Sequence, residues 1–276
     1  MDLYEEIVRL RSLGQRAALA TIVRQRGSTP RKDHAKMLIR QDGSVLGTIG
    51  GGCTEAEVWQ AAQQVLQDEK AVTLAFDLTQ EDAAEDGLVC GGTLEVYVEP
   101  ILPDPHLYIF GAGHIGYWVS RLAKDCGFRV TVVDDRARFA NTERYAHVDR
   151  VLVLEFDACM PSLPIDSNSY ILVVTRGHAH DQTVLHQAIQ TPARMVSMVG
   201  SSRKTRLICD FFESLEIPAE RWAGIHAPAG FDIGAETPEE IAVAIVAEMI
   251  AVRKGKAVGR TSGKKLPVRE FIPGNA

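Results

Sequence analysis

The sequence predicts an α/β protein in two parts: an N-terminal α+β domain and a second domain built on a parallel sheet. Two observations carry this. Beyond a cluster of prolines at Pro100, Pro103 and Pro105, apolar strand-like segments alternate with helical ones, the pattern of a parallel sheet covered on both faces. Ahead of that cluster, strand-like segments follow one another through turn signals, with helical stretches only at the start and middle. The prolines set the boundary, giving domains at 1–102 and 103–256, and the basic, glycine-containing stretch 257–276 reads as a flexible tail.

Taken in order, Leu3, Ile7, Leu10 and Leu13 mark a helical stripe that stops at Gly14. Residues 17–23 and 37–39 read as strands joined through Gly27-Ser28-Thr29-Pro30-Arg31, and Gln41-Asp42-Gly43-Ser44 is a turn leading to a strand at 45–49. Residues 54–69 read as a helix capped by Thr54, with Glu55 and Glu57 in its first turn. Strands at 71–78 and 94–98 flank a loop holding Cys90-Gly91-Gly92. In the second domain, strands are expected at 107–110, 128–133, 151–154, 170–174 and 195–199. Helices are expected at 115–126, between the last two strands and after them. A final helix runs from Pro238 to about Arg253, its start marked by the capping-box spacing of Thr237 and Glu240.

The 276 residues carry 30 basic and 36 acidic side chains, a net charge of −6, which disfavours a nucleic-acid partner. No apolar run is long enough to span a bilayer, and Met1-Asp2-Leu3-Tyr4-Glu5-Glu6 lacks the features of a signal peptide, so a cytoplasmic protein without membrane contact is expected. The five cysteines include no CxxC pair, which argues against disulfides and against a local zinc site, and no metal ligand set is assigned.

Five segments carry candidate chemistry. Gly111-Ala112-Gly113-His114-Ile115-Gly116 follows a strand and opens a helix. Its first glycine suits a tight turn, its second close approach of backbone to a pyrophosphate, its third helix–strand packing. Asp134 ends the next strand, where an acid can hold ribose hydroxyls. Arg136 beside it leaves NAD and NADP both open, and a glycine cluster that binds nothing is the plain alternative. Gly50-Gly51-Gly52-Cys53 runs into a helix start, where backbone N–H groups form an anion-binding concavity and a thiolate is favoured. A small cysteine in a tight turn is the competing reading, and for Cys90 the better one. Arg31, in the loop 27–32, can clamp a phosphate or simply be solvated. His178, His180 and Asp181 stand at a strand's C-terminal end, where parallel sheets bind ligands and an acid–base or metal site is conceivable, but the spacing shows no further ligand for a metal. His226 and Asp232 are candidate contacts in a Gly- and Pro-rich loop too long for a mere connection.

Together these segments, with 200–204, resemble the XdhC/CoxI family, the accessory proteins of xanthine dehydrogenase and related molybdenum hydroxylases, in order over residues 10–250. His34 and Ser202 depart from the family's pattern. The resemblance implies an N-terminal α+β domain, a Rossmann-like domain, a homodimer and a chaperone with no turnover of its own. It implies transient binding of the molybdenum cofactor (molybdopterin) while a cysteine desulfurase supplies sulfur, and delivery to the apo molybdenum hydroxylase. Carried over by position, Cys53 is the cysteine of the Gly-Gly-Cys motif and a thiolate contact for molybdenum. Gly111, Gly113, Gly116 and Asp134 are the Rossmann elements. The expected cofactor-binding set is Gly50, Gly51, Gly52, Cys53, Arg31, Gly111, Gly113, His114, Gly116, Asp134, His178 and His226. An NAD(P)-dependent oxidoreductase is the alternative, supported by the glycine loop but lacking a catalytic Tyr-Lys or His-Asp pair; a Rossmann scaffold acting only by protein contact is a third reading.

Overall fold

The computed structural model describes residues 2–27, 35–77 and 92–256. The chain divides into two units, Met1–Asp104 and Pro105–Ala276, a boundary two residues beyond the expected one. Arg31, His34, Cys90, Gly91 and the expected tail lie outside the described residues.

The first unit contains α1 (Leu3–Ser12), β1 (Ala17–Gly27), β2 (Lys36–Arg40), β3 (Val45–Gly47), α2 (Cys53–Asp68), β4 (Val72–Asp77) and β5 (Gly92–Ile101). Its sheet has the order β3-β2-β1-β5-β4 and is antiparallel throughout. β1 lies at its centre. Side chains alternate along it, so Ala18, Ala20 and Ile22 share one core with Val58, Ala62 and Val65 of α2, whereas Ala17 and Leu19 share the other with Leu10 of α1. β1 continues past the expected end at 23 because β5 pairs with it as far as Gly27 opposite Gly92.

One detail corrects an expectation from sequence. α2 is capped by Gly52, at φ +69°, and begins at Cys53, so Thr54 is a buried first-turn residue and not the cap. Glu6 of α1 is fully buried yet charged, accepting from Arg9 Nε at 2.7 Å and Arg40 Nε at 2.7 Å. Those hydrogen bonds, Arg9 first and then Arg40, outweigh burial and hold its carboxyl down to about 2.

The second unit contains β6 (His106–Phe110), α3 (His114–Asp125), β7 (Arg129–Asp134), β8 (Arg150–Val153), a 3-10 turn (Met160–Ser162), β9 (Ser169–Val173) and α4 (His178–Ala188). It continues with β10 (Met195–Met198), α5 (Ser202–Ser214), α6 (Ala219–Trp222) and α7 (Pro238–Arg253). The sheet order is β10-β9-β6-β7-β8, all parallel. Its two faces are both covered. Tyr108, Phe110, Ile171 and Val173 pack under Val184 and Leu185 of α4 and Phe212 of α5. Leu107, Ile109, Val130 and Val132 pack under Val119 of α3 and Ile245 and Met249 of α7. Strands buried on both faces have to be apolar almost throughout, which is why these segments read as continuous hydrophobic runs.

The chain leaves β6 toward β7 and β8 on one side, then returns to place β9 on the other. The strand order therefore reverses between β6 and β9. In such sheets the crevice outside the carboxyl ends of those two strands is the ligand-binding position.

Candidate functional site

The glycine loop between β6 and α3 lies at this crevice. Gly111 adopts φ +120°, and its N–H donates to Val133 O at 2.8 Å. A Cβ there would stand 2.3 Å from Val174 O, so the β6 end touches the β9 end backbone to backbone. A Cβ on Gly116 would lie 2.3 Å from Gly111 O, so that glycine is what lets α3 pack against its strand. Gly113 is different, with open space where its Cβ would be. It is the N-cap of α3, no side chain among the described residues caps this helix start, and His114 is exposed at its first position. Helix N–H groups at such an end favour an anion.

Asp134 is fully buried and faces the glycine loop, accepting from Ala112 N–H at 2.8 Å. It is not, however, held out to a ribose. Arg136 folds back on it, donating Nε to Oδ1 at 2.8 Å, Nη2 to Oδ2 at 3.0 Å and its own backbone N–H to Oδ1 at 3.1 Å. The guanidinium also lies 4.1 Å from the Phe139 ring centroid, a cation–π contact. Next to it, Arg176 from the end of β9 donates to Asp135 and holds that carboxyl below the usual carboxylate range.

At the β9 end, Asp181 is buried in α4 and accepts from Thr175 Oγ1 at 2.7 Å and Thr175 N–H at 3.2 Å. Lys204 of α5 pairs with its other oxygen and donates to Val199 O at 3.1 Å. Asp181 therefore ties strand end to helix and does not cap α4, whose N-cap is Gly177. His178 is exposed at the first position of α4, while His180 lies against Phe156 with ring centroids 5.3 Å apart. The two histidines and Asp181 do not converge, and among the described residues no group of three metal-ligating side chains does.

His226 follows α6 and hydrogen-bonds through Nδ1 to Glu248 of α7 at 3.0 Å, and Glu248 also accepts from Gly230 N–H at 2.6 Å. Glu248 and Lys204 organise this edge, yet reasoning from sequence gave neither a role. The available signal was an acid on α7 one turn beyond Ala244, on the face turned to the core.

The glycine nest of the first unit is occupied by the chain itself. Gly50, Gly51 and Gly52 adopt φ +139°, +86° and +69°. The N–H groups of Ile49 and Gly51 donate to Glu55 Oε1, each at 3.0 Å, with Gly50 at 3.3 Å and the Thr48 hydroxyl alongside. Burial pushes the Glu55 carboxyl up, but these hydrogen bonds outweigh it and leave it below the usual carboxylate range. The expected concavity for an external anion thus holds an internal one. Cys53, at the first position of α2, is exposed.

Comparison with known proteins places the chain. The family model described as the XdhC Rossmann domain matches residues 107–249, more than half of the chain, and that of the XdhC and CoxI family matches residues 10–77. The chain is 33% identical to the uncharacterized protein YqeB of Escherichia coli (strain K12), over 94% of this chain and 48% of YqeB, so it spans about half the length of that relative. It is 24% identical to a Bacillus subtilis (strain 168) protein named as a probable xanthine dehydrogenase subunit, over 88% of this chain and 95% of that one. A solved xanthine dehydrogenase from Bacillus halodurans shares the fold, with a TM-score of 0.52 at 23% identity over 94% of this chain and 97% of that one. Matched in both of its units and in chain order, this protein belongs to the XdhC/CoxI family.

Proposed function

We propose that the protein is an accessory factor of a xanthine dehydrogenase-type molybdenum hydroxylase, carrying molybdopterin without turning it over. The observation that supports this most is the match along 95% of a relative named as a probable xanthine dehydrogenase subunit, joined to membership of the XdhC/CoxI family.

The residues present suit the cofactor's chemistry. Its phosphate fits the start of α3, where Gly113 leaves open space and no side chain among the described residues caps the helix. His114 and His178, exposed at the first positions of α3 and α4, are additional donors at the ends of adjacent strands. In the first unit, taken by itself, the exposed Cys53 thiol is a soft ligand suited to molybdenum. When bound, molybdopterin supplies the metal centre that the hydroxylase needs; this chain's task is to hold its phosphate, shield it and release it. On this reading a cysteine desulfurase and the apo molybdenum hydroxylase are the partners, the protein works in the cytoplasm, and it acts as a homodimer.

The dinucleotide alternative is less well supported, because the acid that would hold a ribose is already engaged by Arg136. Protein made in a molybdenum-replete host separates the readings. Retained molybdenum and fluorescent oxidised pterin, reduced in Cys53→Ser and in Gly113→Glu, are expected; retained nicotinamide in place of pterin would overturn the proposal.

A further inference from the structure

α5 buries one face and leaves the other uncovered. Ile208, Cys209 and Phe212 join the core of the second unit. On the outer side Leu207 is 43% exposed, Phe211 is half-buried one turn on, and Leu215 at the helix end is 46% exposed. Residues spaced four apart lie one above the other on a helix, so these three side chains form one apolar stripe.

The charges beside the stripe run the wrong way for a helix on its own. A helix start carries partial positive charge and its end partial negative charge, so acids suit the first turn and bases the last. α1 and α7 follow this, with Glu5 and Glu6, or Glu239 and Glu240, in the first turn and Arg9 and Arg11, or Arg253, in the last. α5 reverses it. Arg203 and Lys204 stand in its first turn and Arg206 follows, while Asp210 and Glu213 occupy its second half. Among the described helices of eight residues or more, α5 is the one that puts arginine or lysine in its first turn. Lys204 is taken up by Asp181, but Arg203, Arg206, Asp210 and Glu213 all lie exposed. Their spacing is symmetric about Ile208: Arg203 and Glu213 stand five residues to either side of it, Arg206 and Asp210 two. A face that is basic in one half, acidic in the other and apolar along its line is complementary to itself turned end for end.

We propose that α5 pairs antiparallel with the α5 of a second copy of this chain, about a two-fold axis near Ile208. Leu207 packs on the partner's Leu207, Arg203 faces the partner's Glu213, and Arg206 faces the partner's Asp210. Antiparallel pairing also sets each helix start beside the other's end, so the reversed charges that one α5 places badly for itself are placed well for its partner. The proposal rests on the homodimer reading and adds to it the surface through which the two copies meet.

Charge reversal on the full chain tests it, read by sedimentation velocity at about 50 μM protein in about 50 mM salt, where surface charges are weakly screened. One variant carries Arg203→Glu with Arg206→Glu and makes the whole face acidic; another carries Asp210→Lys with Glu213→Lys and makes it basic. Each should weaken self-association at least about a hundredfold and sediment as a monomer, because like charges then meet across the axis. Each also places its new charges as the helix dipole prefers, so both should keep the parent's circular dichroism. Mixed in equal amounts, the two variants should sediment as a dimer, and so should the protein that carries all four substitutions. Variants that stay dimeric alone, or a mixture that stays monomeric, would overturn the proposal and leave the homodimer reading standing. A parent that is itself monomeric would overturn both.

Discussion

Glu55→Ala tests whether the nest in the first unit is a built-in anion site that the chain fills itself. Glu55 Oε1 receives three backbone N–H groups and the Thr48 hydroxyl. Hydrogen bonds to a charged acceptor contribute about 1.5–3 kcal/mol each, but these share one oxygen on a partly buried side chain, so the set is better taken together at about 2–3 kcal/mol. For a unit near 100 residues that is a fall in melting temperature of roughly 8–20 °C. The sign with pH follows from the lowered carboxyl: the contribution is complete above the unfolded value of 4.5 and is lost as pH falls below it through the folded value. The decisive assay adds formate or sulfate to both proteins at matched ionic strength. With a dissociation constant on the order of 10 mM, 100 mM anion should restore about 1.4 kcal/mol to the variant and nothing to the parent. Equal gains in the two proteins, or a variant within about 0.5 kcal/mol of the parent, would refute the reasoning.

Burial, with Arg129 adding to it, holds His106 neutral down to about 4. Its contribution to stability is complete above pH 6.5 and is lost toward pH 4, at most about 3 kcal/mol, and an NMR titration midpoint near 6.5 would contradict this. Glu6, held down to about 2, contributes fully above pH 4.5 and loses its contribution toward pH 2; Arg40→Ala should raise its midpoint, read by NMR. Gly111→Ala should destabilise by about 3 kcal/mol or more in urea unfolding, because the new Cβ meets backbone atoms of Val174 at 2.3 and 2.6 Å at a φ of +120°. Alkylation read peptide by peptide should label the exposed Cys53 well before Cys159 and Cys209, both pushed up to about 11, chiefly by burial, and labelling in the reverse order would make Cys53 a packing residue.

The parallel sheet was legible because strands such as Tyr108–Phe110 and Ile171–Val173 are buried on both faces and have to be apolar, whatever their neighbours. The roles of Gly111 and Gly116 were legible for a related reason, since a turn or a close backbone approach leaves no room for another residue. What the sequence did not disclose are partners set by the fold. Lys204 meets Asp181 and Glu248 meets His226 across more than twenty residues of chain, and no local spacing encodes such pairs. Glu55 was placed correctly in the first turn of α2 as a charge favoured by the helix, yet its use as the occupant of the Gly50–Gly51 nest depends on how the preceding loop curls back. Thr54 failed as a cap because Gly52, at a positive φ, starts the helix one residue early and turns the threonine inward.

The strand-end acids carry the larger consequence. A carboxylate accepts about four hydrogen bonds, and Asp134 already takes four, from the amides of Ala112 and Arg136 and from the Arg136 guanidinium. A ribose diol would have to displace that guanidinium and leave it without its partner, a cost of the same order as the hydrogen bonds gained. Asp135 is likewise held by Arg176, and Asp181 by Lys204. With its acids paired in place, this sheet edge presents backbone N–H groups, imidazoles and the outer faces of guanidinium groups to solvent, donors whose chemistry suits a phosphate better than a sugar diol. In this chain, therefore, the acid that follows the Rossmann fingerprint is not free to hold a ribose while Arg136 keeps these hydrogen bonds.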